Sequence, residues 1–578
     1  MNLHYSDWPH LDLGYPYVIK GGSFMAEPIK TVTIVGGGTA GWLTALMLKT
    51  MSEKSLRVQL IESPNIPTVG VGEATVPQMP MTLKMLGIPT QEFFRRCNAS
   101  FKLGVMFKQW NTDPNGKLVD YINPFGKPLQ INGVDACYYH QAFGSGGRDF
   151  AQTFSPALDL ARANKGPFSV QQGKMVPGIG YAYHLDAGAF AKMMSEIGVQ
   201  RGVEHILDDV EDVELGDRGH VAAVQLKERG LHPVELVVDC TGFRGLVINK
   251  ALKEPFVDYS KYLGNDRAMA LQIPHPDPDK ITSCTASTAL GAGWSWRVPL
   301  FHRIGTGYVF SSAHRTDDEA RDEFMAHLGG DAPKGAEPRI IPMRVGRSRN
   351  FWVKNCVAIG LSSGFIEPLE STAIHMIDLA IQRLLLYFPD SDFAEFKRKR
   401  YNQTMDALYN EVLDFICLHY ALGNRTDSQY WIDARTELQV PDRLAENLEL
   451  WKHQPTGPLD LATGHLFNHP TYQAVLMGKR VYDTGYGDGT FHRRIAMNKG
   501  AWTQQLQAYD KQRKQILHHS SDHKLGLMAI RGELQPAMGR GSPLPGLGRP
   551  VSGRPSPKLQ PKTAPATAPL DGSAPGLF

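Results

Sequence analysis

The sequence predicts an α/β fold: a Rossmann-type dinucleotide-binding domain followed by a mainly α-helical C-terminal module. Three observations carry this. A β-α-β pattern surrounds a glycine-rich turn near the start, short apolar strands return later in the chain, and the last third shows helical periodicity. Thr31–Val35 reads as a short buried strand, Thr39–Met51 as a helix with Trp42, Leu43, Leu46 and Met47 on its apolar face, and Leu56–Ile61 as a second strand ending at Glu62. The turn between strand and helix is Gly36-Gly37-Gly38-Thr39-Ala40-Gly41, a G-x-G-x-x-G. The first glycine permits the tight turn, Gly38 lets backbone approach a pyrophosphate, and Gly41 lets helix and strand pack closely. Thr39 and Ala40 open the helix, whose free N–H groups and positive dipole end suit phosphate. Glu62, 21 residues beyond Gly41, is placed to accept hydrogen bonds from a ribose.

Val234–Asp239, followed by Cys240-Thr241-Gly242, reads as a second returning strand, and Cys356–Ile359 leading into Gly360 as a third. Helical periodicity then runs through Ser371–Phe388, Phe393–Leu422, Val440–Trp451 and Ala501–His518. The expected organisation is an N-terminal extension over 1–28, a dinucleotide-binding core with interleaved substrate region over 29–440, a helical module over 441–534 and a tail over 535–578. Met1–Phe24 shows no periodicity and is expected to be dispensable, with Met25 just ahead of the first strand. From Gln535 to Phe578 there are ten Pro and seven Gly among 44 residues, too few apolar side chains to offset the entropy of ordering, so a disordered tail is expected.

At 578 residues, 42% hydrophobic and 21% charged, the composition is that of a globular enzyme with a large core. A formal net charge of +3 gives no reason to expect a nucleic-acid or membrane surface. No apolar run approaches the roughly 20 residues that span a bilayer, and no secretory signal is readable. Six scattered cysteines without a Cys-x-x-Cys pair suit reduced cytoplasmic thiols, and no metal site is expected.

Two further runs carry chemistry: Gly-Trp-Ser-Trp-Arg-Val-Pro at Gly293–Pro299 and Phe-Ile-Glu-Pro-Leu-Glu-Ser-Thr at Phe365–Thr372. With Gly36–Trp42, Gly70–Pro77, Phe101-Lys102, Tyr183–Ala187, Asp239–Gly245 and Gly360–Thr372, they make the chain resemble the flavin-dependent halogenases of the tryptophan halogenase family from about Ile29 to about Leu450. The resemblance implies FAD, used as FADH2, together with O2 and chloride or bromide. It places Gly72, Glu73 and Ala74 in a strap beside the flavin and Gly360 and Leu361 at the late helix start near it. In that family the reduced flavin, O2 and halide yield hypohalous acid, which travels through the protein to a lysine beside the aromatic substrate.

The resembling lysine is Lys102. Its ammonium can polarise hypohalous acid and its amine can carry the halogen, while Phe101 and Leu103 would desolvate it and lower its pKa. Lys108 shares its parity along a strand, so spacing alone does not separate the two; the resemblance selects Lys102. Glu370 matches the family's active-site glutamate, a group able to stabilise a cationic ring and accept its proton. Glu367 is the weaker match. Backbone amides at Thr372 and the next residue form the family's halide site, where Ala373 stands for the usual Gly. Were positive φ needed there, Ala would cost on the order of 1 kcal/mol.

Trp294 and Trp296, at alternate strand positions, would face one way and wall flavin from substrate. Phe125 and Ser371 match pocket residues of the family, but Asn123 stands where a histidine is expected. The segment Leu459–Gly478 is short and offers only Phe467 and Tyr472 as aromatics, without the acidic and Phe-Trp anchors that cradle free tryptophan in specific members. An open or small aromatic such as an indole or phenol is therefore expected. The resemblance also implies a separate NAD(P)H-dependent flavin reductase, since no second nucleotide loop is readable, and allows a homodimer. Two rivals stay open: a flavin-dependent aromatic monooxygenase and a non-catalytic flavin-binding protein.

Overall fold

A computed structural model of the chain describes residues 26–66, 72–171, 174–461, 464–484 and 497–534. The readings made for Met1–Phe24, for Gly70 and Val71, and for the tail from Gln535 lie outside the described residues.

The fold is the expected mixed α/β one, with a Rossmann-type core and a sizeable helical C-terminal region. Its nucleotide half is a six-stranded sheet in the order Glu204–Leu207, Arg57–Glu62, Thr31–Val35, Leu236–Asp239, Cys356–Ala358, Trp352–Val353. The first five pair in parallel and the last is antiparallel. Thr31–Val35 is almost wholly buried, as a central parallel strand covered on both faces must be. Helix Thr39–Met51 packs against helices Ala187–Gln200 and Ala373–Leu386, which brings the start of the late helix to the glycine turn.

A seven-stranded sheet forms the second half, ordered Arg339–Pro342, Arg267–Ile273, Ile304–Phe310, Gly293–Pro299, Thr285–Leu290, Gly104–Thr112, Leu118–Pro124. The Trp-x-Trp strand is central in it. A small three-stranded sheet, Gly72–Ala74, Ala182–Asp186 and Ser100–Lys102, sits beside it, and the chain crosses between the two sheets at Leu103. There Leu103 N–H donates to Ser283 and its carbonyl accepts from Phe125 N–H. That pair of bonds sets Leu103 opposite Phe125, and Val105 pairs with Asn123 two positions farther along.

The helical region is not detached. Strand Ser520–Asp522 pairs with Lys165–Gln171, and helix His523–Arg531 packs on helix Thr90–Arg96. His523, wholly buried, accepts the N–H of Phe101 at 3.2 Å and so braces the strand that carries Lys102. All six cysteines are free. Among the described residues no helix is long and apolar enough to cross a membrane.

Gly307 pairs with Trp296 across the seven-stranded sheet, and a Cβ there would fall 2.0 Å from the indole and 2.1 Å from the Met269 carbonyl oxygen. The indole therefore lies flat across a bare backbone. Gly307→Ala should destabilise the protein by about 1–3 kcal/mol, read as a lower Tm by differential scanning fluorimetry; an unchanged Tm would show that the sheet absorbs the methyl group.

Candidate active site

A cleft of ≈ 820 Å³ runs from the glycine turn to the start of helix Ala373–Leu386. Each glycine of the turn has a distinct reason to lack a side chain. Gly36 has φ +117°, and a Cβ on it would meet the Cys240 carbonyl oxygen at 2.3 Å; one on Gly41 would meet Gly36 O at 1.8 Å. Gly38 meets nothing within 4 Å, because it faces the cleft. Thr39 and Ala40 line the cleft at the first turn of a helix with no side-chain cap, so its amides are available to an anion. Glu62 lines it as well, held on Oε2 by Trp42 Nε1 (3.3 Å) and His205 Nε2 (2.8 Å).

Farther along, Gly72, Glu73 and Ala74 form one wall and Gly360 and Leu361 another. Burial away from water raises the Glu73 carboxyl to about 7. Gly360 has φ +80° and touches Ala40, so the late turn closes onto the early one. Asp239 organises the third wall by accepting from Thr241 N–H and Oγ1–H and from Val247 and Ile248 N–H. A cradle with this bare glycine, two helix starts and a tethered acid fits a dinucleotide such as FAD.

Trp294 and Trp296 line the far end of the cleft with ring centroids 6.3 Å apart, edge to face. Trp294 Nε1 donates to Glu367 Oε2 at 2.9 Å; Asn265 Nδ2 (2.9 Å) and the Tyr420 hydroxyl (2.6 Å) converge on the same oxygen. Burial raises the pKa of Glu367 despite these donors. Its place is behind the wall, as an anchor for the indole.

Lys102, Glu370, Asn123 and Phe125 do not line this cleft. They form a second compartment, in which Lys102, Glu370 and Asn123 are buried and Phe125 is partly so. Lys102 is fully buried; its Nζ donates to Thr75 O at 2.9 Å and lies 5.3 Å from the centre of the Phe125 ring. Burial pulls its pKa down to about 8, against the opposing pull of the Glu370 charge. Lys108 is exposed, so burial separates the two lysines where parity did not. Glu370, 5% exposed, accepts from Asn123 Nδ2 at 3.1 and 3.2 Å, one contact to each oxygen. Its neighbours in sequence, Leu369 and Ser371, line the cleft, so the turn itself is the partition.

After Glu370 the backbone turns through Ser371 in the left-handed region, φ +63°, and helix Ala373–Leu386 starts at Thr372 with no side-chain cap. Ser371, Thr372 and Ala373 all border the cleft, with amides suited to a small anion. The strained position is Ser371 and not Ala373, which has ordinary helical backbone; the cost foreseen for Ala373 does not arise. Ser371 lines the same cleft as the glycine turn.

Phe467 and Tyr472 do not reach the compartment. Phe467 stacks on Phe415 at 4.0 Å and Tyr472 packs between Phe415 and Trp451, both buried as core. The nearby polar side chains His469 and Gln473 are both engaged with Asp135. The sequence also gave no sign of His419, whose Nε2 lies 3.1 Å from Glu370 Oε1. A lone histidine inside an apolar helix carries no local signal; only the packing of distant elements identifies it.

The tryptophan halogenase family model matches residues 31–490. The 7-chloro-L-tryptophan 6-halogenase KtzR of Kutzneria sp. (strain 744) is 39% identical over 470 residues, covering 77% of this chain and 90% of the relative. Among solved structures, the tryptophan 6-halogenase SttH from Streptomyces toxytricini superposes with a TM-score of 0.80 at 35% identity, over 87% of this chain and 99% of that one. BrvH, a flavin-dependent halogenase from Brevundimonas sp. BAL3, superposes with a TM-score of 0.76 at 35% identity over 87% and 99%.

Because a Gly38 side chain would touch only the cleft, Gly38→Val should leave the Tm of the apoprotein unchanged while weakening FAD binding at least about tenfold by fluorescence titration. Equal FAD affinity would place the pyrophosphate elsewhere.

Proposed function

Because the chain belongs to the tryptophan halogenase family, we propose that it places chlorine or bromine on a free indole-like aromatic, with Lys102 and Glu370 as the working pair. It is a flavin-dependent halogenase, and the reduced FAD is taken to come from a separate reductase. The chemistry the bound reduced flavin supplies is the conversion of O2 and halide into hypohalous acid. The chain's own residues do the rest. Thr372 and Ala373 amides hold the halide, Trp294 and Trp296 keep the aromatic away from the cleft, and Lys102 receives the oxidant in a dry compartment.

With Lys102 at about 8, ammonium and amine are both populated near neutral pH, so the same side chain can polarise hypohalous acid or carry the halogen. Carbon–halogen bond formation leaves a cationic ring. The ring C–H bond then breaks, its electron pair restores aromaticity, and the proton goes to Glu370. The oxygen of the hypohalous acid leaves as water, its second proton coming from the Lys102 ammonium, and the proton taken up by Glu370 restores that ammonium.

The observation that carries this reading is the burial of Lys102 and Glu370 together, outside the cleft, behind a turn whose other side borders it. An indole or phenol is favoured over free tryptophan, because Phe467, Tyr472, His469 and Gln473 are committed to packing and to Asp135.

The test is product mass spectrometry with FAD, a reductase, NADH and either halide, across indole, phenol and tryptophan. Halogenated indole is expected, with kcat/KM at least about tenfold above that for tryptophan. Preference for tryptophan would overturn the substrate class. Halide-independent oxygenated product would favour a monooxygenase, and tight FAD binding without any product a non-catalytic flavin protein.

A further inference from the structure

Helix Glu395–Ala421 delivers two consecutive side chains to the turn that holds the active carboxylate. Tyr420 donates to Glu367, and His419 sets Nε2 3.1 Å from Glu370 Oε1. The second contact is close but not aligned as a full hydrogen bond, and such contacts in unliganded sites tighten when substrate enters. His419 is wholly buried. Its ring stacks on Phe107 at 4.6 Å and meets the edge of Phe415 at 5.3 Å, so the imidazole cannot swing. Its Nδ1 lies 3.0 Å from the Tyr121 hydroxyl.

Tyr121 is itself fixed. It stacks on Phe107 at 4.8 Å and lies against Gly478, where a Cβ would fall 2.7 Å from the ring. Tyr121 and Asn123 stand at alternate positions of strand Leu118–Pro124, so one strand face serves both the imidazole and the carboxylate. The histidine expected at position 123 is absent, and the ring beside Glu370 arrives from the helix instead.

We propose that His419, backed by Tyr121, is a positioning residue for Glu370: the Tyr121 hydroxyl donates to Nδ1, the imidazole keeps its proton on Nε2 facing Oε1, and Oε2, which faces the Asn123 amide but not the imidazole, takes the proton from the halogenated ring carbon. This rests on the halogenase reading above. A neutral imidazole fits the role, since burial lowers the pKa of His419. The other titratable groups in electrostatic range of the pair are Lys102, Tyr121 and Lys479. Lys479 is also buried, donates to Asn111 Oδ1 at 2.6 Å and is lowered to about 7 by burial; its positive charge opposes a proton on His419.

The experiment compares the unsubstituted holoenzyme with His419→Leu, His419→Gln and Tyr121→Phe, under saturating reduced FAD and bromide with indole as substrate. Removing the N–H donor disfavours the ionised carboxylate, so the acid limb of the kcat profile should move up by about one pH unit in His419→Leu. Its kcat should fall about tenfold or more while KM for indole stays within about twofold. His419→Gln, whose amide N–H reaches the same place, should restore most of both, and Tyr121→Phe should fall between. FAD affinity and Tm identify a variant that fails to fold, in which case the Gln and Phe variants decide. An acid limb unmoved in every folded variant, or equal losses in Leu and Gln variants, would overturn the inference while leaving the halogenase reading intact. No halogenated product from the unsubstituted enzyme would overturn both.

Discussion

Burial of one amine and one carboxylate, both outside the lining of the cleft, is the constraint from which the arrangement follows. Desolvating such groups costs several kcal/mol each and is tolerated only with close partners. Lys102 has the Thr75 carbonyl and the Phe125 face, and Glu370 has Asn123 and His419. Those partners come from three separate places in the chain, around Thr75, Asn123–Phe125 and His419. The two sheets, the long helix and the turn at Phe365–Thr372 must therefore all be in register before the pair can exist. In the proposed function this burial keeps water from hypohalous acid or a haloamine.

Separation from the flavin cleft uses the same elements. The turn presents Leu369 and Ser371 to the cleft and Glu370 away from it, while Glu367 ties the turn to the Trp294 indole. Adjacent helix residues Tyr420 and His419 grip the two acids of the turn. In the proposed function one short motif supplies the halide shelf, the wall anchor and the base, so moving any of these would disturb the others. This explains in physical terms why Phe-Ile-Glu-Pro-Leu-Glu-Ser-Thr reads as one unit.

Local features were legible from residues alone. The glycine turn, its helix and Glu62 stand where their spacing placed them, because each is set by neighbours within one β-α-β unit. Lys102 was not separable from Lys108 by parity, since the chain leaves one sheet and enters another at Leu103, and alternation carries no information across such a junction. The strain assigned to Ala373 belongs to Ser371, a shift of two residues that only backbone angles reveal. Phe467 and Tyr472 are the only aromatics of the segment Leu459–Gly478, and that segment alone does not show that Phe415 and Trp451 claim them. His419 was invisible for the same reason: its meaning lies in Tyr121 and Glu370, both distant in sequence.

The central claim is that halogen reaches the aromatic by way of Lys102 and not directly from the flavin cleft. Single-turnover kinetics on Lys102→Met, with reduced FAD, O2, bromide and indole, test it most directly. The account predicts flavin reoxidation at close to the wild-type rate with halogenated indole reduced at least about a hundredfold. Product formed within about threefold of the wild-type yield would contradict it.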